Sequence, residues 1–94
     1  MAFKKKRGMS LDYNEQGFVY FTCANYKHLP TKYRKKIDDA INDVGGFDSE
    51  ALRSLVLDVR QSVLSVSMEY CIGEASLNRL RQKFYKRAYE ELTK

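Results

Sequence analysis

The sequence predicts an all-α protein of three or four helices, and three observations carry that reading. Apolar residues recur at alternating steps of three and four over most of the chain, the spacing that lines one face of a helix. The single proline, Pro30, stands where one helix would end and the next begin. Gly45-Gly46 and the segment Cys71-Ile72-Gly73-Glu74 supply further breaks. A chain of 94 residues has room for one core and buries roughly 60–65% of the surface it exposes when unfolded. With 44% apolar and 31% charged residues the composition is that of a foldable chain, and no unit of solenoid length repeats.

Residues 1–10, with Lys4, Lys5, Lys6 and Arg7 in a row, are expected to form a basic arm without fixed structure, and residues 11–94 a single helical domain. Two readings stand for Asp12 to Leu29. Phe18, Phe21, Asn25 or Tyr26, and Leu29 fall at helical intervals and make a helix with an aromatic inner stripe. The run Phe18 to Cys23 also suits a strand, with Met9, Leu11 and Tyr13 alternating before an Asn14-Glu15-Gln16-Gly17 turn. A lone hairpin is marginal in water unless helices cover it, which favours the helix.

The next helix runs from about Pro30 to Val44, with Tyr33, Ile37, Ile41 and Val44 on its apolar face, and Gly45-Gly46 closes it. Asp48 or Ser49 can cap the one after. From there Leu52, Leu55, Val56, Val59, Val63, Val66 and Tyr70 trace one stripe, which fits either one helix or two, because Asp58 followed by Gln61 resembles a weak capping box. The last helix spans about Ala75 to Leu92. Leu77, Leu80, Phe84, Ala88 and Leu92 face inward, and Asn78, Arg79, Arg81, Gln82, Lys83, Lys86 and Arg87 take the remaining surface.

Seventeen Lys and Arg against twelve Asp and Glu leave a net charge of +5 and a pI near 9.3, a balance that favours anionic partners, though net charge also serves solubility alone. Cys23 and Cys71 lack paired metal spacing, and with His28 the only histidine there are too few ligands for a Cys/His zinc site, so no metal and no cofactor are expected. Both cysteines read as buried thiols of a reducing compartment, with a single disulfide as the alternative. No apolar run matches a signal peptide or a membrane span, so a cytoplasmic protein without membrane contact is expected.

Catalysis is disfavoured, because there is no glycine-rich phosphate loop, no HExxH and no nucleophile motif. Cys23 and His28 are five residues apart, which places them on different faces of one helix. Seven tyrosines allow a stacking platform for single-stranded nucleic acid, but most sit at helical positions suited to a core.

The strongest functional signal is the stretch Ser65 to Tyr85. Ser67 can be the small residue where two helices approach and Cys71 the small residue at the turn, with Val66, Tyr70, Ile72, Leu77 and Leu80 in the apolar positions. This stretch resembles the helix-turn-helix of small DNA-binding regulators of bacteria and phages. Cys71 departs from the glycine usual at the turn, and an unbroken helix from Leu52 onward would make a plain helical hairpin instead. The resemblance implies that the last helix enters the major groove, with Ser76, Asn78, Arg79 and Gln82 reading bases and Lys83, Lys86 and Arg87 on phosphates, joined by Lys32, Lys35 and Lys36. It implies a transcriptional or mobile-element regulator on double-stranded DNA, working as a homodimer because one helix reads few base pairs. The alternative is a small basic helical protein that docks on a protein partner through the Leu52–Tyr70 stripe or the basic last helix.

Overall fold

A computed structural model describes residues 10–58 and 60–94. Except for Ser10, the expected basic arm lies outside the described residues, as does Val59 of the apolar stripe. The fold is all-α, with no strand among the described residues.

The first helix, α1 (Tyr13–Ala24), decides the ambiguous segment in favour of a helix. Its start is fixed by a reciprocal cap. The Asp12 carboxylate accepts the Glu15 amide at 2.8 Å, and the Glu15 carboxylate accepts the Asp12 amide at 3.0 Å. The expected inner stripe holds only beyond the helix, where Tyr26 and Leu29 pack half-buried against the core. Phe18 and Phe21 are exposed, and Gln16, Gly17, Val19 and Cys23 face the core. Both faces of α1 are apolar, so periodicity alone does not say which turns inward. The face with the small Gly17 and Cys23 admits the close approach of neighbouring helices, and the Gln16 amide is satisfied by donating to the Leu11 carbonyl at 2.9 Å. Phe18 instead meets Tyr89 edge to face, with ring centroids 6.1 Å apart.

After a single 3-10 turn at Tyr26–His28, Pro30 opens α2 (Thr31–Gly45), its carbonyl accepting the Tyr33 and Arg34 amides. Ile37, Ala40 and Ile41 are buried, whereas Tyr33, expected inside, lies in the exposed first turn. Gly46 ends the helix at φ +53°, a conformation that costs glycine little. At Gly45 the space is tight instead: a Cβ there would stand 3.1 Å from the Ser49 Cβ, where the chain turns into α3 (Ser49–Leu57).

The long apolar stripe is two helices. The chain leaves α3 at Asp58 in extended conformation and re-enters helix at α4 (Val63–Tyr70), capped by Ser62, whose hydroxyl accepts the Ser65 amide at 3.1 Å. The capping box expected of Asp58 and Gln61 does not form, because the Asp58 carboxylate takes the Arg60 amide at 3.0 Å and Asp58 is instead the C-terminal cap of α3. A short turn then leads to α5 (Glu74–Leu92), which makes five α-helices among the described residues. None is long and apolar enough to cross a membrane.

Two apolar clusters hold these helices. The larger joins Val19 and Cys23 of α1, Ile37 and Ile41 of α2, Leu52 of α3, and Phe84, Tyr85 and Ala88 of α5. The smaller consists of Ala51 and Leu55 of α3, Val66 of α4 and Leu77 of α5, with Val63, Tyr70 and Ile72 packed against it. The second cluster sets how α4 and α5 sit together, and thereby which face of α5 meets solvent. Of the two thiols, Cys23 is buried as expected and Cys71 is not; both are free. Cys71 is held outside by the turn it forms.

Candidate nucleic-acid interface

The α4–α5 junction is closed by backbone and side chain together. Cys71 takes the left-handed conformation (φ 55°, ψ 43°), and its amide and that of Ile72 both donate to the Ser67 carbonyl. The Ser67 hydroxyl donates to the Ile72 carbonyl at 2.6 Å. These are the bonds of a helix C-terminal cap with a 6→1 link, and Ile72 supplies the apolar contact that accompanies such caps. Ser67 is therefore small because it lies at the junction and polar because it ties the turn. Three residues, Cys71 to Gly73, separate α4 from α5.

With Leu77, Phe84, Tyr85 and Ala88 buried, the opposite face of α5 is fixed by the helical period of about 100° per residue. Arg79, Lys83 and Lys86 are all exposed along that face, and Ser76 and Gln82 flank it half-buried. From Arg79 to Lys86 the stripe runs about 10 Å along the axis. Arg79 donates to the Ser76 hydroxyl at 3.3 Å, so the two share one corner of the surface. Among the described residues no carboxylate pairs with Arg79, Lys83 or Lys86.

The other sequence-expected site residues lie elsewhere or are already engaged. The Asn78 side-chain oxygen accepts Arg81 at 2.8 Å, on the flank of α5. Arg81, expected on the surface, is half-buried; burial lowers its pKa, and its Nε has no hydrogen-bond partner among the described residues. Arg87 is bound to Asp43 at 2.8 Å and to Glu91 at 3.5 Å. Lys36 donates to the Glu91 carbonyl at 3.0 Å and lies over the Tyr33 ring, as does Lys32; Lys35 is exposed. The contacts Lys36–Glu91 and Asp43–Arg87 make α2 antiparallel to α5. Lys32, Lys35 and Lys36 thus sit beside the C-terminal end of α5, about 22 Å along the axis from Ser76.

No group of three or more His, Cys, Asp or Glu able to hold a metal occurs among the described residues. Burial pushes the Cys23 thiol up to about 12, so it stays protonated near neutral pH and is a poor nucleophile. Features that sequence reasoning did not single out are the Tyr26–Asp38–Arg53 network and Arg60. The network spans three elements distant in sequence, a juxtaposition without a local pattern. No family model, curated protein or solved structure matches this chain.

Proposed function

We propose that the chain binds double-stranded DNA, with α4 and α5 as a helix-turn-helix and α5 in the major groove, as a regulator without cofactor or catalysis, acting in the cytoplasm as a homodimer. The observation that carries this reading is the exposed, carboxylate-free stripe Arg79, Lys83, Lys86 on the outer face of the second helix of a tightly turned pair. Arg79 and Gln82 have the chemistry to read guanine and adenine, each good bidentate pair discriminating by about 1–3 kcal/mol. Lys83 and Lys86 continue the same face toward phosphates. Asn78 and Arg87 keep their internal partners and have secondary roles.

The test is binding of the purified chain to random duplex DNA over a salt series, beside the variant Arg79→Ala/Lys83→Ala/Lys86→Ala. Binding that weakens steeply with salt and drops in the variant supports the reading. Absence of binding at low salt overturns it. That outcome favours a second reading, docking on a protein partner, which a separate observation supports: Leu64 and Met68, one turn apart on α4, are 56% and 72% exposed.

A further inference from the structure

We propose that α5 reads a thymine near the guanine taken by Arg79, through the methyl group of Ala75. This thymine contact rests on the DNA reading above and gives the site a sequence class. Ala75 is exposed in the first turn of α5 and belongs to neither apolar cluster, so the core does not select it. It lies about 200° around the helix from the buried Leu77, and about 40° from Arg79 one turn further on. The Arg79 guanidinium donates to the Ser76 hydroxyl at 3.3 Å, so it leans back over the first turn beside Ala75. Gly73, just before the helix, adds no side chain at this end, and nothing lies within 4 Å of where its Cβ would stand.

The order of residues along the outer face gives α5 a direction in the groove. Ala75 is uncharged, Arg79, Lys83 and Lys86 are cationic, and Glu90, about 20° around the helix from Arg79, is an exposed carboxylate. Phosphates repel Glu90, so the contact closes near Lys86 and the Ala75 end goes to the bases. The Glu74 side chain leaves the helix about 140° around from Arg79 and keeps this end of the face clear.

A methyl group offers no donor or acceptor, and the base-edge feature that it complements in the major groove is the 5-methyl of thymine. Ala75 and Arg79 stand about 6 Å apart along the helix axis, against about 3.4 Å between base pairs. The thymine therefore sits about one or two base pairs from the guanine. Removing one methyl group from such a contact changes affinity about fourfold.

Selection from a random duplex pool with the full chain should enrich sequences that hold a thymine within that distance of a guanine. Replacing this thymine by deoxyuridine removes only the 5-methyl, and should weaken wild-type binding about fourfold in fluorescence anisotropy. Ala75→Gly should bind the thymine duplex only as well as wild type binds the uracil duplex, and should not distinguish the two. Ala75 is exposed, so unchanged far-ultraviolet circular dichroism and an unchanged salt slope show that the fold and the phosphate contacts persist in the variant. Equal wild-type affinity for the two duplexes, a thymine preference that persists in Ala75→Gly, or a selected site without a thymine at that spacing each overturns the proposal. In those cases steep salt dependence leaves the DNA reading standing, whereas loss of all salt-dependent binding overturns both together.

Discussion

Lys83→Ala/Lys86→Ala set against Lys36→Ala/Arg87→Ala separates cations that are available to DNA from those that are not. Both variants remove two positive charges, so a non-specific effect of net charge would make them equivalent. The structure makes them different. Lys83 and Lys86 are exposed and without carboxylate partners among the described residues, whereas Arg87 is held by Asp43 and Glu91, and Lys36 by the Glu91 carbonyl. Each phosphate contact adds about 0.9 to the slope of log affinity against log salt, so losing two reduces it by about 1.8 per DNA-bound subunit. Between about 50 and about 200 mM salt, wild type should then lose about twelvefold more affinity than the Lys83/Lys86 variant, and twice that exponent for a dimer. Fluorescence anisotropy with a labelled duplex at four or five salt concentrations measures both slopes. The Lys36/Arg87 variant should keep a slope within experimental error of wild type. Equal slopes for the two variants, or a larger fall for Lys36/Arg87, would refute the assignment of the contact face.

Three further outcomes follow from the packing and the turn. Leu77→Ala empties a fully buried position in the α3–α4–α5 cluster and should cost about 2–5 kcal/mol in urea unfolding; a loss under about 1 kcal/mol would mean that α4 is not packed as described. Cys71→Gly relieves a non-glycine residue at φ 55° and should stabilise by up to about 1 kcal/mol, so a clear destabilisation contradicts the left-handed turn. The Cys23 thiol, raised by burial to about 12 from its ordinary value of 9.0, favours folding fully below pH 9 and progressively less from there to pH 12. Relative to Cys23→Ala, wild type should therefore lose about 1.4 kcal/mol of stability per pH unit above 9, and parallel stability curves for the two proteins would refute the buried thiol.

Helix existence was legible where one face is apolar and the other is not. In α2 and α5 the polar residues leave a single inward choice, and Ile37, Ile41, Leu77, Phe84 and Ala88 take it. In α1 both faces are apolar, and the inward face is the one that lets helices approach closely, a criterion of shape that hydropathy does not encode. The division of the long stripe was hidden for a related reason. Val56 and Val66 keep helical phase across the linker, and the break depends on Ser62 as the cap and on Asp58 turning to the Arg60 amide. Cys71 misled because its chemistry suits burial, while its position at the left-handed end of α4 requires it to face solvent.

The candidate site was less legible, because a cation's availability is decided by tertiary partners. Arg79 and Arg87 have the same side chain on the same helix, eight residues apart, and sequence alone treats them alike. Antiparallel packing of α2 brings Asp43 to Arg87, whereas Arg79 lies beyond the end of α2, where no described carboxylate reaches it. What exposes Arg79 is the α4–α5 turn, which buries Leu77 against Val66 and so points the face two residues further on toward solvent. The Ser67–Ile72 hydrogen bonds and the Leu77 contact therefore set the direction of the basic stripe, although none of these residues is charged. A change that loosens the turn without altering any cation, such as Ser67→Val, should weaken DNA binding by misdirecting α5, while leaving intact the helices held by the larger cluster.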